Sequence, residues 1–224
     1  MSKTVHETDG KRRIGLLTVI MTLGGLVLGG ATGWGEGRLL KAADRYRLSW
    51  SDHGAMMIAI VFLGTGVLTM ILAANRRGLA MLANPHAPDF ARPPSRGQAG
   101  YYGLQGGVLI LAGAMLAAPV AFQLLSAAGH APDAPFLMAA VAGAFVLQTA
   151  LNIRIWVKSD EVQRKVIAES GAASFWLLQG LYFLWACGEK LALLPRISSW
   201  DAVTVMMGVY ILASTVLFYR RGLG

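Results

Sequence analysis

Cysteine occurs once in 224 residues, at Cys187. A single thiol excludes a disulfide within the chain, a C-x-x-C redox pair and a cysteine-built zinc or iron–sulfur site. Charge is scarce too. Asp, Glu, Lys and Arg make up 14% of the chain, where a soluble domain carries about 25%. The four histidines, His6, His53, His86 and His130, include no pair three or four residues apart. Neither a metal nor a haem is therefore expected, and no cofactor is. There is no G-x-S-x-G elbow and no defensible Ser/His/Asp set, so no catalytic residue is assigned. No glycine-rich phosphate loop follows a soluble strand. No basic stripe is interleaved with aromatics, which removes the signature of nucleic-acid binding.

What is abundant is apolar residues, 55% of the chain, with a mean hydropathy of +0.52. Six apolar runs stand out: Ile14–Trp34, Ala55–Ala74, Leu104–Ala127, Pro135–Val157, Val166–Cys187 and Trp200–Tyr219. Each is about 20 residues or slightly more, enough to cross a hydrocarbon core of about 30 Å as a helix. The expected fold class is an all-α polytopic membrane protein with six transmembrane helices. The first run follows Lys11-Arg12-Arg13 but is too long for a signal peptide and lacks a clear small-x-small exit, so a retained first helix is expected.

Lysine and arginine set the orientation. The net charge is +8. The N-terminal tail, the 75–103 and 158–165 connections, the C-terminal tail and Arg154 hold 14 of the 20 cations, and the opposite side holds Arg38, Lys41, Arg45, Arg47, Lys190 and Arg196. The bias places both termini in the cytoplasm of a bacterial inner membrane, and the bilayer is the first partner. The four outer cations before residue 48 are expected on a short interfacial helix whose apolar face is Leu39, Ala43, Tyr46 and Trp50. Aromatics agree: Trp34, Trp50, Trp185 and Trp200 fall near outer ends, and Tyr101, Tyr102, Trp156 and Tyr219 near inner ends. The chain divides into a tail with a two-helix front (1–74), a proline-rich cytoplasmic loop (75–103) and a four-helix membrane bundle (104–224). The prolines in "NPHAPDFARPPSRGQ" exclude regular helix there.

Three features invite a functional reading. Gly25, Gly29, Gly33 and Gly37 are four apart and form a smooth ridge. Gly103 with Gly107, and Ala139/Ala140 with Gly143/Ala144, repeat the pattern. Such ridges let helices approach closely in lipid, inside one bundle or between partners. Gln148 and Asn152 share one face, about 13 and 8 Å above Val157 by helical rise. With Gln105 and Glu169 they make an intramembrane polar cluster in the inner half. It would act as interhelical glue, line a cavity, or in part lie at the membrane edge. The third feature is "SDEVQRKVIAE", residues 159–169, the densest mixed charge in the chain. Asp160–Arg164, Glu161–Lys165 and Lys165–Glu169 are each four apart and can pair on a helix. Ser159 or Asp160 can cap that helix. The bland reading is a capped, salt-laced helix start. The sharper one is a partner-docking knob built from Asp160, Glu161, Gln163, Arg164 and Lys165.

The same stretch carries a likeness. "SDEVQRKVIAES", an apolar span, "LPRISSW", another span and "FYRRG" resemble an uncharacterised family of small bacterial inner-membrane proteins with a D-E-x-Q-R-[RK]…E signature between two transmembrane helices. Asp160, Glu161, Gln163, Arg164, Lys165 and Glu169 match that pattern. Ala168-Glu169-Ser170 stands where members often have Leu-Glu-Ala. The likeness spans roughly Pro135–Arg221. It implies that the front two helices and the proline loop are additions, and it implies no activity. The expected function is a non-enzymatic accessory or interaction protein of a larger membrane assembly, with a protein partner or a second copy. The alternative is a small transporter, or the substrate-binding membrane subunit of one. A lipid-modifying enzyme with Glu169 as acid/base lacks a partner nucleophile.

Overall fold

The computed structural model describes residues 48–83, 96–130 and 133–220. Six helices run through them: α1 (Trp50–Ala74), α2 (Arg76–Ala83), α3 (Arg96–Ala127), α4 (Ala134–Lys158), α5 (Glu161–Lys190) and α6 (Ser199–Arg220). No strand occurs among the described residues. Four helices are long and apolar enough to cross a membrane: α1, α6 over Ser199–Leu217, α3 from Gly97, and α4. They contain four of the six expected spans. The fifth, Val166–Cys187, lies inside α5, whose 30 residues are long enough but which falls short of those four in hydropathy. Ser170, Ser174, Gln179 and Glu169 dilute its apolar run. The first, Ile14–Trp34, lies outside the described residues, as do the glycine ridge Gly25–Gly37 and most of the expected interfacial helix. Trp50, assigned to that helix, is instead the first residue of α1.

The ends of these helices follow from local side chains. Ser49 and Asp52 form a capping box at the start of α1, with Ser49 Oγ accepting from the Asp52 amide and Asp52 Oδ2 from the Ser49 amide. Ser198 and Asp201 repeat it at α6. Each box satisfies amides that have no intrahelical partner. The α3 helix ends at Gly129, whose φ of 80° lets the His130 amide donate back to Leu125. That is the left-handed termination glycine favours. The α5 helix ends the same way with Ala192, at φ 57°, in the glycine position, and the Leu193 amide donates to Gly188.

The 75–103 segment is more helical than its composition suggested. All its prolines lie between residues 84 and 95, while Arg76–Ala83 forms α2 and α3 begins at Arg96. Without proline to remove an amide, both flanks continue the helical ladder.

Packing runs in the order α5, α6, α1, α3, α4, each helix against the next. The core is Ala55, Ala59 and Leu116, flanked by Ile58, Phe62, Ala117, Trp200 and Met207. Ala55 and Ala59 are fully buried because α3 lies directly on α1. A Cβ added to Gly106 would lie 2.7 Å from Met70 Cγ and 2.8 Å from the Gly66 carbonyl oxygen. One added to Gly113 would lie 2.8 Å from the Ala59 carbonyl oxygen. The sealed seam is therefore Gly66, Gly106 and Gly113. The expected ridges are not sealed in this way: a Cβ on Gly103 or Gly143 meets nothing within 4 Å, and one on Gly107 makes an ordinary 3.8 Å contact with Leu151.

Candidate functional site at the α4–α5 hinge

Two residues, Ser159 and Asp160, separate α4 from α5. Ser159 is buried, and both its amide and its hydroxyl donate to the Ile155 carbonyl at 2.8 Å. Its oxygen lies 3.3 Å from the Tyr101 hydroxyl. Since the serine proton is directed to Ile155, Tyr101 is the donor, and the hinge is pinned to the first turns of α3. Of the two expected candidates, Asp160 caps α5: its carboxylate accepts from the Gln163 amide at 2.7 Å, and Gln163 Oε1 accepts from the Asp160 amide. The helix is continuous from Glu161 onward.

Arg164 departs from expectation. Its Nε donates to the Trp156 carbonyl at 3.0 Å and its Nη2 to the Val157 carbonyl at 2.9 Å. These are terminal carbonyls of α4 that lack amide partners. They also form the negative end of its dipole, where a cation is favoured. Arg164 is thus held by backbone and not by Asp160. Among the described residues the Asp160–Arg164 and Glu161–Lys165 pairs are not formed, and Glu161 and Lys165 stand exposed without ion-pair partners. An exposed i,i+4 pair contributes only about 0.3–0.5 kcal/mol, too little to compete with hydration and side-chain freedom.

Two open cavities flank the hinge. One, of about 410 Å³, is lined by Gly97, Gln98, Tyr101, Tyr102, Lys158, Asp160 and Gln163. The two tyrosine rings meet edge to face with centroids 5.7 Å apart. The other, of about 460 Å³, lies between α4, α5 and α6, lined by Thr149, Asn152, Ile153, Ile155, Trp156, Ile167 and Tyr210.

The residues of the expected polar cluster lie on three helices, α3, α4 and α5. Gln148 donates at 3.5 Å to the Val108 carbonyl of α3, tying α4 to its neighbour. Asn152 faces the second cavity. Gln105 and Glu169 are both half-buried, on α3 and α5. The residues that sequence reasoning missed are Tyr101 and Lys158, and for Ser159 it offered a cap of α5 rather than the contact with Tyr101. The aromatic pair Tyr101-Tyr102 was legible as a membrane-boundary signal, but its meeting with a residue 58 positions away was not. No group of three His, Cys, Asp or Glu that could hold a metal occurs among the described residues.

The fold and hinge define a class: among the described residues the protein is all-helical, with four helices long and apolar enough to span a membrane. Comparison with protein-family models, curated proteins and solved structures gives no match.

Proposed function

We propose that the chain is a six-span protein of a bacterial inner membrane, with both termini cytoplasmic, and that it serves without catalysis as an accessory subunit of a larger membrane assembly. The likeness in "SDEVQRKVIAES" belongs to this proposal. The observation that carries it is the hinge. Arg164 and the Asp160–Gln163 box hold the start of α5 firmly, while Glu161 and Lys165 project from it with no internal partner among the described residues. A rigid, charged projection suits complementary docking, where charge confers specificity more than raw affinity. The test is Glu161→Lys in the full chain. We expect unchanged melting in detergent together with loss of a stoichiometric copurifying partner. An unchanged partner profile would leave only a solvated helix start.

A transporter is the second reading, favoured by the cavity that joins Asn152 and Tyr210 across α4, α5 and α6. A small molecule bound to the purified protein, released by Asn152→Leu and not by Glu161→Lys, would replace the accessory reading with this one.

A further inference from the structure

We propose that the cavity between α3 and the α4–α5 hinge binds the headgroup of a zwitterionic aminophospholipid, with the phosphate on Lys158 and the ammonium on Asp160 beside the tyrosine pair. The inference goes beyond docking: Asp160 and Gln163 face this cavity, whereas Glu161 and Lys165 do not line it.

Position comes first. The cavity sits where α3 begins and α4 ends, at one end of two helices long and apolar enough to cross a bilayer. Tyr101, Tyr102, Trp156 and Lys158 gather at this level, as aromatic and cationic side chains do at a headgroup boundary. Acyl chains would lie along the exposed apolar flank of α4, where Val157 and Ile153 are 65% and 60% exposed.

The chemistry of the lining is mixed in sign. Among the described residues Lys158 has no hydrogen-bond or ion-pair partner. Its Nζ lies 4.0 Å from where a Cβ on Gly100 would stand, so it extends over the glycine-lined start of α3. An ammonium held there is a phosphate ligand of the point-charge kind. Asp160 uses Oδ1 for its cap and keeps Oδ2 for a second partner. Tyr101 donates its hydroxyl proton to Ser159 and so offers a lone pair, and the tyrosine faces attract a cation. A purely anionic headgroup would satisfy Lys158 and be repelled by Asp160. An amine-bearing phosphodiester satisfies both. A volume of about 410 Å³ is in the range of small-ligand sites.

The test is native mass spectrometry of the full chain in detergent, titrated with phosphatidylethanolamine, phosphatidylglycerol or soluble O-phosphoethanolamine. We expect phosphatidylethanolamine to be retained in preference to phosphatidylglycerol. Lys158→Gln should weaken retention of both lipids about tenfold, roughly one charged contact. Asp160→Asn keeps a competent helix cap; it should weaken phosphatidylethanolamine about tenfold and strengthen phosphatidylglycerol, whose repulsion by the carboxylate is removed. Equal retention of phosphatidylethanolamine by the wild-type chain and both variants overturns the proposal. So does tighter binding of phosphatidylglycerol than of phosphatidylethanolamine by the wild-type chain, which would make the site a simple cationic patch. Displacement of the lipid by O-phosphoethanolamine at equal concentration would overturn the lipid assignment in favour of a soluble phosphate ester.

Discussion

Glycines on apolar helices behave in two ways in this molecule. Between α1 and α3, Gly66, Gly106 and Gly113 bring backbone onto backbone, and Ala55 and Ala59 beside them are fully buried. On the outer helices, Gly143, Gly171, Gly180 and Gly208 face open space, and their neighbours Phe145, Phe183 and Leu212 are 61%, 67% and 68% exposed. The residue type and the apolar setting are the same, but the consequences are opposite. In lipid there is no hydrophobic drive between helices, so association rests on close van der Waals contact, and glycine matters only where a second helix arrives. A small-residue spacing therefore shows that a seam is possible; the neighbour decides whether it is used.

The largest expected effect breaks this comparison directly. Gly106→Leu must push Met70 and the Gly66 backbone away, which should cost about 2–4 kcal/mol and lower the melting temperature in detergent markedly. Gly143→Leu should change stability by less than about 0.5 kcal/mol. If the two variants melted alike, the exposed face of α4 would have to be covered by another helix or a second copy. Next in size is Arg164→Ala, which removes two hydrogen bonds to α4 carbonyls at a wet hinge. A loss of about 1 kcal/mol is expected, and Arg164→Lys should recover little because it lacks the fork that reaches two carbonyls. Ala192→Gly should raise stability by about 0.5–1 kcal/mol, since glycine adopts the left-handed conformation at the end of α5 without a Cβ penalty. The smallest effect is expected for Glu161→Lys, within about 0.5 kcal/mol of the parent by thermal melting. It differs from Arg164, one turn away, which is held by two α4 carbonyls.

Much of the secondary structure was legible because its causes are local. The apolar runs marked α1, α3, α4 and α6, and the start of α5 was readable from Ser159 and Asp160 as candidate caps. The α5 helix is a borderline case: its serines, Gln179 and Glu169 break the apolar run enough to separate it from the other four. The helices at the edges of the proline loop were missed because prolines clustered in 84–95 colour the reading of residues that lack them.

Composition and short-range spacing by themselves determined the helical class, the absence of a metal-binding cysteine set, and a cap at the start of α5. Each depends on atoms within one turn of the chain or on the cost of placing charge in hydrocarbon. Only the tertiary structure decided that Gly106 and not Gly103 is sealed, that Arg164 turns to α4 rather than to Asp160, and that Tyr101 and Lys158 meet at one cavity. Those outcomes depend on how helices rotate about their own axes and cross one another. That rotation is settled by summed contacts between residues distant in sequence, which no i,i+4 spacing encodes.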